Sequence, residues 1–112
     1  MNEQVRIHIE KYPAEAVELF NALRNLMYDS VSLRLEETLW AKLPSYYFGE
    51  NFVRLILFKD HINIEANAIT KHKDGLTGYK ITPKGMLQMY VGQSIPNDIL
   101  AQIFVETLAN RF

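Results

Sequence analysis

The 112-residue chain has no cysteine, which removes disulfides, thiolate zinc sites and thiol nucleophiles together. A chain without cysteine also suits a reducing compartment. Long apolar runs are missing as well: no stretch approaches the roughly 20 residues that a membrane helix needs. The start, Met1-Asn2-Glu3-Gln4-Val5-Arg6, is polar with no apolar stretch behind it, so no secretory signal is expected. A cytoplasmic location away from membranes follows as the expectation. Net charge is scarce too. Twelve basic and thirteen acidic residues leave −1, and such a chain lacks the field that draws nucleic acid or anionic membrane. Repeats, low-complexity tracts and linkers are absent.

Several catalytic signatures are also missing. His8, His61 and His72 offer no i, i+4 pair for a helical metal site. No Gly-x-x-x-x-Gly-Lys-Ser/Thr loop is present to cradle a phosphate. Ser30, Ser32, Ser45 and Ser94 lack the context of a nucleophile elbow. No constellation assigns acid and base roles, and the sequence reads as a non-enzymatic protein.

What is present is ordinary globular composition, with 48% hydrophobic and 22% charged residues. That is enough apolar surface to offset chain entropy in one core, without a metal or disulfide staple. Residues 3–11 read as a short helix or, because Val5, Ile7 and Ile9 alternate, as a strand. Tyr12-Pro13 opens a helix over about 13–30, with apolar residues at Ala16, Leu19, Phe20, Leu23, Leu26 and Met27. Strands are expected near 36–42, ended or bordered by Pro44, and over Ser45-Tyr46-Tyr47-Phe48. Phe52 to Phe58 is nearly all apolar and predicts a central strand covered on both faces. Lys59-Asp60 then joins it to the alternating Ile62–Ala66 as a hairpin, Asp60 being tolerant of a left-handed backbone.

Ala68 to Gly75 has helical character, with Gly75 as its C-cap. Gly78 to Gly85 reads as a loop and Met86–Val91 as the last strand. Pro96 and Asp98 announce a final helix, striped by Ile99, Leu100, Ile103, Phe104 and Leu108. The whole predicts one α+β domain spanning 1–112. Its antiparallel sheet has about five strands, and helices from both chain ends pack on one face.

Several blocks, in order, resemble the YdhG-like domains, a large bacterial group mostly without assigned function. Tyr12-Pro13 opens the long helix. Glu37, Trp40 and Pro44 resemble the family's Glu, Trp and Pro before an aromatic strand. Phe58-Lys59-Asp60-His61-Ile62 resembles its Phe-Lys-x-His hairpin. Gly78-Tyr79-Lys80 with Lys84-Gly85 resembles its Tyr-Lys…Lys-Gly loop. Ile95-Pro96-Asn97-Asp98-Ile99-Leu100 resembles its Ile-Pro helix start. The resemblance covers most of the chain and implies a curved antiparallel sheet with helices packed against it. One family member is described as a frataxin-like iron chaperone, so the resemblance also implies iron handling. Asn63-Ile64-Glu65-Ala66-Asn67 departs from the Gly-aromatic stretch and proline that often follow the hairpin histidine in the family.

Candidate residues follow, each with a plainer reading beside it. His61 either ligates metal or moves protons, or is a hairpin residue bonded to local backbone. Iron without cysteine needs clustered oxygen ligands. Glu15 and Glu18 share a helix face near Glu10 and Glu36-Glu37, or simply complement the helix dipole. Lys71, Lys73, Lys80 and Lys84, with Thr82 and two glycines, form an anion site or a solvated face. Trp40, Tyr46, Tyr47, Phe48, Phe52, Tyr79 and Tyr90 line one pocket or fill the sheet core. The ligand set is therefore Trp40, Tyr46, His61, Lys80 and Lys84, and the metal set Glu15, Glu18 and His61. The expected function is binding of a small ligand or metal, with iron entering through the resemblance. The alternative is a homodimer or protein-interaction module without metal.

Overall fold

The structure is a computed structural model that describes residues 1–110, so the last two residues of the 1–112 span lie outside the described residues. Helix α1 (Glu3–Ile9) resolves the open helix-or-strand reading of this segment. Asn2 caps it by accepting from the Val5 N–H at 3.1 Å. Val5 and Ile9, four apart, turn one stripe into the core. Helix α2 (Ala14–Ser30) starts on Pro13, whose carbonyl accepts from the Ala16 and Val17 N–H groups. Its buried stripe is Ala16, Leu19, Phe20, Leu23 and Met27, as the spacing predicts.

Six antiparallel strands follow: β1 (Glu36–Trp40), β2 (Leu43–Phe48), β3 (Asn51–Leu57), β4 (His61–Glu65), β5 (Lys80–Ile81) and β6 (Leu87–Tyr90). Their order across the sheet is β1-β2-β3-β4-β6-β5. The sheet thus has one strand more than the sequence suggests. The extra one is β5, inside the predicted Gly78–Gly85 loop, where Lys80 and Ile81 pair with Gln88 and Leu87. Two residues carry no periodicity to read. A 3₁₀ segment, Asn67–Leu76, lies between β4 and β5, and α3 (Asn97–Ala109) ends the described chain.

The register decides which face each side chain takes. Val53, Leu55 and Leu57 of β3, Ile62 and Ile64 of β4, and Leu87 and Met89 of β6 point inward. They join Phe20, Leu23 and Met27 of α2 and Leu100, Ile103 and Phe104 of α3 in one core cluster. Val5 and Ile9 of α1 complete it. The molecule is therefore two layers, helices on one face of the sheet.

Three local expectations change. The apolar run of β3 is covered by helices on one face only, because Phe52, Arg54 and Ile56 alternate to the other. Pro44 lies within β2 rather than ending β1; it pairs with Leu39, while the ladder to β3 begins one residue later at Ser45. Gly75 does not cap the segment from a left-handed backbone. A Cβ there would lie 2.6 Å from the Ile99 side chain, so close approach of α3 explains the glycine.

Candidate functional site

The five residues of the predicted ligand set do not form one site. Trp40 pairs with Leu43, while Tyr46 three residues on pairs with Glu37, so the two aromatic side chains take opposite faces of the sheet. Tyr46 is fully buried on the helix side, edge-on to Tyr28 at 6.0 Å. Burial pushes its hydroxyl far above the ordinary phenol range. His61 lies on the face away from the helices, its partner across the ladder being Tyr90. Lys80 pairs with Gln88 on the same outward register. Lys84 is exposed in a separate turn, closed by the Gly85 N–H donating to the Thr82 carbonyl at 2.8 Å. The seven aromatics likewise divide between faces instead of lining one pocket.

The outward face has two polar–aromatic clusters. In the first, the Arg54 guanidinium lies 4.4 Å from the Trp40 ring centre and 3.9 Å from that of Phe52. It donates to Ser45 Oγ at 3.1 Å, Tyr47 Oη at 3.0 Å and Glu65 Oε1 at 3.2 Å. Arg54 is consequently only 9% exposed, enclosed by these rings and acceptors. In the second, the His61 ring is stacked between Phe58 at 4.4 Å and Tyr90 at 4.7 Å. Its Nδ1 lies 2.8 Å from Asp60 Oδ1. Neither Lys59 nor Asp60 in this hairpin takes a positive φ.

The metal set is also divided. Glu15 and Glu18 border a shallow groove on α2 with Leu19, Ala22, Val91, Gly92 and Ile95, on the helix side of the sheet. His61 belongs to the opposite face. Among the described residues, no three His, Asp or Glu side chains come close enough to share an ion.

Glu37 proves to be a structural carboxylate. Arg24 Nε donates to it at 2.6 Å, and the Asn2 backbone N–H does so at 2.6 Å. Burial alone would raise its pKa; the Arg24 and Asn2 hydrogen bonds outweigh that and hold it below the ordinary 4.5. This network ties the start of α1 and the middle of α2 to β1. It explains why a glutamate sits inside a strand.

One concave site is one that the sequence did not reveal. Gln4, Ile7 and His8 recur at helical spacing along α1 and, with Lys11 in the turn that follows it, face Leu39 and Lys42 across a cleft of about 330 Å³. Ile7 and Leu39 form an apolar floor, and Gln4, His8, Lys11 and Lys42 supply polar tips. Lys42 comes from a two-residue turn in which Ala41 has φ 50° and Lys42 φ 65°. No turn signal marks that dipeptide. The α1 stripe was hidden because the segment read equally well as a strand, which would divide these residues between two faces.

A second concavity, of about 610 Å³, lies between Ser30 and the Asp98, Gln102, Val105 and Glu106 face of α3. Glu106 there is engaged by His72 Nε2 at 2.9 Å and Lys71 Nζ at 3.2 Å. The His72 contact and Lys71 lower its pKa against the opposing effect of desolvation.

Comparison with family models, with curated proteins and with solved structures finds no match for this chain.

Proposed function

We propose that this chain is a non-enzymatic binding domain that takes a small ligand in the cleft between α1 and the β1–β2 turn. The observation that carries this reading is the cleft's makeup, an apolar floor ringed by polar tips. Small-molecule sites combine these features in concavities of about 300 Å³ and upward. A fragment screen read by amide NMR tests the reading. Hits should shift the amides of Gln4, Ile7, His8, Leu39 and Lys42. A screen whose hits all map elsewhere, or which yields none, removes it.

Iron handling, by contrast, is supported by the YdhG-like resemblance alone. Glu15 and Glu18 lie on the helix side and His61 on the far face, so the geometry adds no ligand set to that reading.

A second reading concerns the bare sheet face and a second copy of this chain. It is supported by Trp40, 53% exposed, and Phe58, 42% exposed, beside the stacked His61 and Tyr90. Six strands at about 4.8 Å spacing give a face some 24 Å wide, wide enough to approach the ~800 Å² per partner of a standard interface. Light scattering should then show a dimer that Trp40→Ala and Phe58→Ser weaken. A monomer at every concentration would discard the dimer and leave the small-ligand reading standing.

A further inference from the structure

We infer that the α1 cleft selects anions, its ligand being a small carboxylate or phosphate with a short apolar body; the inference rests on the small-ligand reading above. Its first support is the charge balance. Lys11, Lys42 and His8 border the cleft with no carboxylate among the lining residues. The acids nearest along α1, Glu3 and Glu10, are both occupied by Arg6. Neither Lys11 nor Lys42 makes an ion pair among the described residues, as is also true of Lys59, Lys73, Lys80 and Lys84; what sets these two apart is that both border one cleft. His8 registers the resulting field. Its pKa is lowered by burial and then by the positive charges of Lys11 and Lys42.

The second support is the turn. A two-residue hairpin with both residues left-handed is normally closed by Asn-Gly or a similar pair. Ala41 and Lys42 instead hold φ values of 50° and 65°, at a strain of about 1 kcal/mol each. Nothing in the hairpin calls for lysine. What Lys42 contributes from that position is an ammonium at the rim of the cleft, opposite Lys11. Strain retained beside a cleft, where a better turn residue exists, is the pattern expected when the side chain is used.

The floor sets the rest of the ligand. Ile7 is 50% exposed and Leu39 half-buried, so an apolar group laid on them loses water while its charged end meets the two ammonium groups. Gln4 adds a neutral hydrogen-bonding tip. About 330 Å³ accommodates a ligand of roughly ten to fifteen heavy atoms.

Calorimetry at low ionic strength with four eight-carbon probes tests the inference: octanoate, octyl phosphate, octanol and octylamine. Octanoate and octyl phosphate should bind, octylamine should not, and raised salt should weaken both anions. The Lys11→Ala/Lys42→Ala double variant should weaken octanoate about tenfold. Lys80→Ala/Lys84→Ala should leave it unchanged. All four lysines are exposed, so neither variant threatens folding. Octylamine binding as tightly as octanoate, or octanoate indifferent to the Lys11/Lys42 change, overturns the anion preference. Octanol matching octanoate does the same while sparing the small-ligand reading. No binding by any probe removes both.

Discussion

At the residue scale, single polar contacts hold elements that apolar packing alone would leave free to slide. Thr107 is 2% exposed on α3, and its Oγ1 accepts from the Ala68 N–H at 3.1 Å. Replacing it with valine keeps the shape but leaves that buried donor unpaired. Thr107→Val should destabilise by about 1–3 kcal/mol in denaturant unfolding. A change under about 0.5 kcal/mol would mean that water reaches the amide. Arg54 shows the same principle on the outer face. It stands in a run that reads as apolar, and only the surrounding Trp40, Phe52, Tyr47, Ser45 and Glu65 explain how a guanidinium is tolerated there. Sequence names the arginine but not its enclosure, since all its partners except Phe52 come from three other strands.

At the element scale, the left-handed backbone falls in a hairpin that the sequence does not announce. The Lys59-Asp60 connection, read as tolerant of a left-handed backbone, uses none. A left-handed turn lies instead at Ala41-Lys42, which carries no glycine, asparagine or aspartate to announce it. Ala41→Asn with Lys42→Gly should therefore raise stability by about 1–2 kcal/mol. The same variant removes a cleft ammonium, so octanoate affinity should fall as stability rises. Thermal unfolding and calorimetry on one preparation check both. Unchanged stability would show that the turn is not strained. Helices were more legible than turns. The α2 and α3 stripes each run for several turns, and their burial follows the apolar spacing closely. Helix α1, at seven residues, is too short for its spacing to exclude a strand.

For the whole molecule, ionisable groups couple the fold to acid. Glu37 is held below 4.5 chiefly by Arg24 and Asn2 against the cost of burial, and Glu106 by His72 and Lys71. His8 is held below 6.5 by burial and by Lys11 and Lys42. In all three cases the unfolded chain binds protons more readily, so stability rises with pH across each group's range. The His8 contribution is present above about pH 6.5 and fades below it. The carboxylate contributions are present above about pH 4.5 and are lost as the folded-state values are passed. Urea midpoints should fall modestly between pH 7 and 5, then steeply below 4.5, and Glu37→Gln should flatten the steep part. A midpoint constant down to pH 3 would contradict the Glu37 network. Among the described residues no helix is long and apolar enough to cross a membrane, as the sequence implies.

Sequence by itself determined the α+β class, the two long helices and the central strands. Each rests on apolar periodicity, a local property of consecutive residues. Tertiary structure alone decided which candidates meet. Trp40 and Tyr46 are separated by the parity of one register, and Glu15 and Glu18 from His61 by the thickness of the sheet. The cleft arises because α1 and the turn after it set Ile7, His8 and Lys11 against a turn some thirty residues further along. That juxtaposition depends on how the layers dock, which no local pattern encodes.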